Sequence, residues 1–118
     1  MPKVTGIGGT FFRAKDPQAL ARWYEDYLGV GAAENHGQWM QEAGPSVFSP
    51  FKHDTDYFGR PEQSFMLNFR VDDLKGLLAQ LEEKGIKPVK DIEHWDGIGS
   101  FAWIEDPEGN RIELWQMA

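Results

Sequence analysis

The side chains able to do chemistry are few, and most stand apart. The chain has three histidines, His36, His53 and His94, and no cysteine. No two histidines fall at the i, i+2 or i, i+4 spacing by which a strand or helix presents a pair of ligands to a metal. Without cysteine there is no thiolate zinc site, no cysteine nucleophile and no iron–sulfur cluster. No serine occupies a nucleophile elbow. Gly6-Ile7-Gly8-Gly9 is glycine-rich, but it precedes a strand instead of joining a strand to a helix, so it is not a phosphate cradle. The pair Asp72-Asp73 reads as a helix cap, and Glu82-Glu83 as a solvated helix face. Any functional site must therefore be assembled from residues distant in sequence, and the elements that bring them together come first.

Those elements come in two similar sets. Phe12-Arg13-Ala14-Lys15-Asp16 matches Phe69-Arg70-Val71-Asp72-Asp73, and the same offset of 57 pairs Leu20 with Leu77, Tyr24 with Leu81 and Glu25 with Glu82. In the first set, Thr10, Phe12 and Ala14 alternate with Phe11 and Arg13, a period-2 strand pattern. Asp16 then predicts a helix N-cap with Pro17 at the first position, and Leu20, Trp23, Tyr24 and Tyr27 recur at helical spacing until Gly29 ends the run. In the second set, Leu67, Phe69 and Val71 alternate with Met66, Asn68 and Arg70. Asp72 or Asp73 caps a helix whose Leu74, Leu77, Leu78 and Leu81 form one apolar stripe, closed by Gly85 and Pro88. The turn sequence Asp106-Pro107-Glu108-Gly109-Asn110 lies between the strand-like runs 101–105 and 111–115 and predicts a hairpin. A shorter hairpin is expected around Ala43-Gly44-Pro45, between Gln38–Gln41 and Ser46–Phe48. Residues 50–63 link the halves, and Phe51, Tyr57 and Phe58 make them too aromatic for a bare spacer, so this segment is expected to pack on something.

Composition bounds the rest. A chain of 118 residues, 41% hydrophobic and 26% charged, is built like one globular domain that buries roughly two-thirds of its unfolded surface. Its formal charge of −7 and the absence of a Lys/Arg cluster argue against capture of nucleic acid or anionic membrane. No apolar run approaches the length of a membrane span, and no signal-peptide core is evident, so a soluble, cytoplasmic protein is expected.

The tail from Asp106 to Leu114, the opening Phe12–Asp16 and the helix end Tyr27-Leu28-Gly29-Val30 together resemble the vicinal oxygen chelate superfamily, which comprises glyoxalases, bleomycin-resistance proteins and extradiol dioxygenases. The resemblance implies an α+β fold in which two βαβββ modules form curled mixed sheets around a central cleft. Residues 1–118 are then a single domain, with module one about 1–58 and module two about 62–118. It also implies a homodimer, and in many members a divalent metal. Such members draw ligands from the first strand of each module and the last strand of one or both. The matching positions here are Gly9, Met66, Phe48 or Ser49, and Glu113. Glycine has no side chain, phenylalanine no lone pair, and a thioether is a poor ligand for the ions this fold uses. No metal and no cofactor are expected.

Strand alternation then sorts the cleft residues. Asn68 and Arg70, with Met66, Phe11 and Arg13, face the cleft, and so do Arg111, Glu113 and Trp115 of the closing strand, with Trp103 and Phe48 beside them. Glu113 is the one candidate for a catalytic group. Either it neutralises arginines in a structural ion network, or a spare guanidinium binds a carboxylate or oxyanion. The leading expectation is a metal-independent protein that binds a small organic ligand, anionic or aromatic. The alternative is a metal-dependent glyoxalase-like lyase or dioxygenase with atypical ligands, which requires His53, His94 and Glu113 to converge, or a dimer partner to complete the site.

Overall fold

A computed structural model describes residues 2–118. Helix α1, Pro17–Trp23, begins where Asp16 Oδ1 accepts a hydrogen bond from the Ala19 amide at 3.2 Å, with proline at the first position. It continues through a wider π-type turn, Tyr24–Leu28, and stops at Gly29, whose φ of 68° is the left-handed geometry that glycine adopts without penalty. A short 3-10 turn, Ala33–Asn35, follows. The second half supplies β1 (Leu67–Arg70), α2 (Leu74–Glu83), β2 (Glu93–Trp95), β3 (Gly99–Glu105) and β4 (Arg111–Met117). Asp73, not Asp72, caps α2 through a 3.0 Å bond to the Gly76 amide, and Gln116 of β4 accepts from the Leu74 amide at 2.8 Å.

The four strands form one open mixed sheet in the order β1-β4-β3-β2, with β1 parallel to β4 and the other pairs antiparallel. Module two is thus a complete βαβββ unit. On one face, Leu67 and Ile104 flank Ile112, and Phe69 and Ala102 flank Leu114. The helices cover this face: Leu74, Leu78 and Leu81 from α2, with Leu20 and Tyr24 from the first half, join Ala102, Ile104, Ile112 and Leu114 in a single buried cluster. Burial of these side chains supplies the main stabilisation, each worth about 1.5–3 kcal/mol for a full aliphatic side chain.

In the first half the helix forms, but its flanks do not become strands. Residues 7–14, 38–41 and 46–48 are not assigned to any strand ladder. The period-2 alternation still sorts the side chains: Ala14 packs on the core and Phe12 meets Tyr24 and Phe65 edge-on, whereas Phe11 is 94% exposed. Alternation decides which way a side chain points but does not supply a partner strand. Glycines at 6, 8 and 9, and prolines at 45 and 50, weaken these segments as ladders. The two halves are joined by polar contacts at the closing hairpin. Glu108 accepts from the Lys15 and Asp16 amides at 2.7 and 3.0 Å, and the buried Tyr24 hydroxyl donates to Asp106 Oδ2 at 2.7 Å.

Candidate functional site

The other face of the sheet carries the chemistry. Register places Asn68 beside Glu113 and Glu113 beside Trp103, and in the next row Arg70, Trp115 and Phe101 stand in line. Strand alternation had grouped these residues, and the structure brings Asn68, Arg70, Trp103, Arg111, Glu113 and Trp115 onto one face, with Met66 partly buried just ahead of β1.

Glu113 is the centre of the face, and it is buried. Its Oε1 accepts from Asn68 Nδ2 at 2.6 Å, and its Oε2 accepts from Trp103 Nε1 at 3.0 Å and from the Tyr57 hydroxyl. A carboxylate in such surroundings is tolerable only because these donors replace its lost water. Burial, followed by the bond to Glu113, pushes the Tyr57 phenol above its ordinary range, so it remains a donor throughout the neutral region.

The arginines stand elsewhere, contrary to the ion network considered from the sequence. Among the described residues Glu113 makes no ion pair. Arg111 is paired in register with Glu105, one face-row away; its Nη1 donates to the Tyr57 carbonyl at 3.3 Å, while its Nε is buried without a partner. Arg70 turns to the first half, where Nη2 donates to the Glu42 carbonyl at 2.8 Å. Arg13 is exposed, as are Phe11 and Phe48, the last 87% so, and the structure does not bring these three to Glu113.

Aromatic rings wall the face. Phe101 and Trp115 are parallel within 3° at 6.1 Å between centroids, Phe101 and Trp103 are stacked at 6.4 Å, and Tyr57 meets Trp103 edge-on at 6.2 Å. Lys90 Nζ sits 4.2 Å from the Trp103 ring centroid, a cation–π contact. Tyr57 and Lys90 were not singled out from the sequence. The only signal for Tyr57 was the aromatic content of the linker; Lys90 left none, because its role follows from where 88–90 runs beside β3, with the Val89 amide bonded to the Trp103 carbonyl at 2.7 Å.

The donors around Glu113 do not suit a divalent cation. N–H and O–H groups point at both of its oxygens, and the positions that the resemblance matches to the family's other ligands hold Gly9, Met66 and either Phe48 or Ser49. Among the described residues no three His, Asp or Glu side chains gather as a metal-binding group, so His53, His94 and Glu113 do not converge. His94 is held at the sheet edge, 3.0 Å from Ser100 Oγ and 3.5 Å from Asp96.

A βαβββ sheet with a buried carboxylate on one face and helices on the other defines a class, and the family comparison agrees. The family's sequence model matches residues 6–114, and the chain belongs to the Glyoxalase/Bleomycin resistance protein/Dioxygenase superfamily. A comparison with curated protein sequences finds no match. Among solved structures, the chain is similar to a lactoylglutathione lyase from Agrobacterium tumefaciens (20% identity, 98% of this chain and 96% of that one, TM-score 0.59). It is also similar to TnmS3, an antibiotic binding protein from Streptomyces sp. CB03234 (23% identity, 96% and 100%, TM-score 0.56). A third, a conserved domain protein, aligns over 46% of this chain and 47% of its own length, at 20% identity and a TM-score of 0.42. For the first two, at these identities, the likeness is one of fold. No helix among the described residues is long and apolar enough to cross a membrane.

Proposed function

We propose that the protein binds a small aromatic molecule on the Trp103–Glu113 face and does so without a metal. The observation that carries this reading is Glu113 itself, a buried acceptor held by neutral donors and flanked by aromatic rings. A ring entering here would gain stacking worth about 0.5–1.5 kcal/mol per aromatic pair beyond burial, and Glu113 would orient it. Of the two ligand types expected, the aromatic one is favoured over the anionic, because Arg70 and Arg111 are engaged with backbone carbonyls and a carboxylate occupies the centre. Binding of a small molecule is the role the antibiotic binding protein of similar fold suggests.

The protein also pairs with itself in this reading. Its accessible surface is 9228 Å², against roughly 6,500 Å² for a folded monomer of its mass. The excess, roughly 2,700 Å² per chain or about 5,400 Å² over two chains, reaches the upper end of what obligate homodimer interfaces bury in total, and Phe11, Met40, Val47 and Phe48 contribute to it.

The test for the ligand is a titration of the full chain with a panel of aromatic compounds. It is followed through the Trp103 indole N–H resonance, with and without added divalent ions. Binding that moves this resonance equally under both conditions supports the reading. A stoichiometric divalent ion whose binding is lost in Glu113→Ala, or a panel in which no compound moves the resonance, overturns it.

A further inference from the structure

The third donor to Glu113 differs from the other two in origin. Asn68 and Trp103 project from paired strands, whereas Tyr57 comes from a segment with no helix or strand. That segment, 51–63, is a chain of turns closed by amide-to-carbonyl bonds from Thr55 to Lys52, Gly59 to Asp56 and Gln63 to Arg60. None of its residues belongs to the buried core cluster. Its firm anchors lie at one end, where the Gln63 side chain exchanges two bonds with the Arg111 backbone at 2.7 and 2.9 Å and Arg60 reaches Asn110 at 3.1 Å. The other end rests on Phe51, Tyr57 and Phe58 packing on one another, on the Tyr57 side-chain contacts with Trp103 and Glu113, and on one longer bond, 3.3 Å from Arg111 Nη1 to the Tyr57 carbonyl.

We infer that Tyr57 is an internal occupant of the aromatic site, and that the ligand is an uncharged phenol-type aromatic that displaces it and takes over its hydrogen bond to Glu113. This rests on the aromatic-binding reading above. The place Tyr57 fills has the dimensions of one phenol ring: an edge-on contact with Trp103 on one side and the Glu113 carboxylate at the hydroxyl. Withdrawal of Tyr57 leaves Glu113 still held by Asn68 and Trp103, with one acceptor position open. The charges around it select a neutral ligand. An anion meets the Glu113 carboxylate, and a cation meets Lys90, which lies over the Trp103 ring. A second observation points to movement of the strap. Arg111 Nε is buried without a partner, and a Cβ built on Gly59 would lie 3.3 Å from it, so the strap backbone covers this donor without satisfying it. The unmade Nε bond disfavours the seated state, while the 3.3 Å bond from Nη1 to the Tyr57 carbonyl favours it; movement of the strap would let water or ligand reach both nitrogens.

The experiment compares wild-type protein with Tyr57→Ala and Tyr57→Phe, using 4-methylphenol and its donor-free analogue 4-methylanisole as probes, by calorimetry. A self-occupied site binds its ligand more weakly by the fraction of time it is free. Tyr57→Ala is therefore expected to bind 4-methylphenol about tenfold or more tightly than wild type, and to prefer it to 4-methylanisole. In wild type, saturating 4-methylphenol is expected to speed tryptic cleavage after Lys52. Equal affinity of wild type and Tyr57→Ala overturns the internal-occupant proposal and leaves the aromatic site standing; absence of binding to either protein overturns both. Should Tyr57→Ala fail to fold, Tyr57→Phe keeps the ring and loses only the donor. It is expected to bind 4-methylphenol several-fold more tightly than wild type, and unchanged affinity overturns the proposal.

Discussion

Tyr24→Phe removes one oxygen and isolates the bond that ties the first helix to the closing hairpin. The Tyr24 hydroxyl donates to Asp106 Oδ2 at 2.7 Å, and both residues are buried, 6% and 5% exposed. A bond to a charged group in such a place is worth about 1.5–3 kcal/mol. The lower end applies, because Asp106 keeps three other donors: Asn110 Nδ2 on Oδ2 at 2.8 Å, and the Glu108 and Asn110 amides on Oδ1 at 2.9 and 3.0 Å. The expected loss is about 1.5 kcal/mol. Unfolding entropy of about 2.1 cal/mol/K per residue gives about 0.25 kcal/mol/K for this chain, so Tm should fall by about 6 °C. Urea denaturation followed by far-UV circular dichroism reads the first number and calorimetry the second. Tyr27→Phe is the control: Tyr27 only packs against the core and under Lys84, so the variant should stay within about 0.5 kcal/mol of wild type. A Tyr24→Phe variant no less stable than Tyr27→Phe would refute the assignment of binding energy to the Tyr24–Asp106 bond.

Three other perturbations have definite outcomes. Gly99→Ala should cost at least about 2 kcal/mol in urea denaturation, because Gly99 has φ 136° and a Cβ there would lie 2.1 Å from the Gln116 carbonyl oxygen; Gly97→Ala, with φ 77° and open space around it, should cost only about 1 kcal/mol. The stability that the Tyr24 and Tyr57 phenols contribute should be full at neutral pH and up to about pH 10, and be lost above it. Burial and then Asp106 raise the Tyr24 phenol, and burial and then Glu113 raise that of Tyr57, so beyond pH 10 the unfolded chain loses protons that the folded chain retains. A stability curve that stays flat to pH 11 would contradict this. Light scattering after size exclusion should give twice the chain mass, and the double variant Phe11→Asp/Phe48→Asp should shift it toward the monomer; a wild-type monomer at every concentration would remove the pairing from the proposal.

Module two was legible because its signals are local. Asp73, the leucine stripe and the turn 106–110 each act within a few residues, and alternation along β1 and β4 correctly grouped Asn68, Arg70, Arg111, Glu113 and Trp115 on one face. Around Glu113, alternation put Asn68 and Trp103 on the same face but did not give their bonds to it, and Tyr57 left no such signal. The three donors to Glu113 depend on inter-strand register and on a linker residue 56 positions away, so the arginines close to it in sequence, or expected close to it in space, were given a role that Asn68, Trp103 and Tyr57 fill. In the first half, Asp16, Pro17 and Gly29 marked the helix, but a hairpin around Ala43-Gly44-Pro45 depends on partners that local composition does not specify.

The Tyr24–Asp106 and Glu108–Lys15 bonds also bear on how the chain matures. Helix α1 is made early, yet the surface it packs on, Ile104, Ile112 and Leu114, and the carboxylates that hold it belong to a hairpin made some 80 to 90 residues later. Closing so long a loop is slow relative to forming the helices themselves. During synthesis on the ribosome the aromatic face of α1 therefore stays uncovered until β4 has emerged, and mutations in the hairpin turn should lower the yield of folded protein more than their equilibrium cost implies.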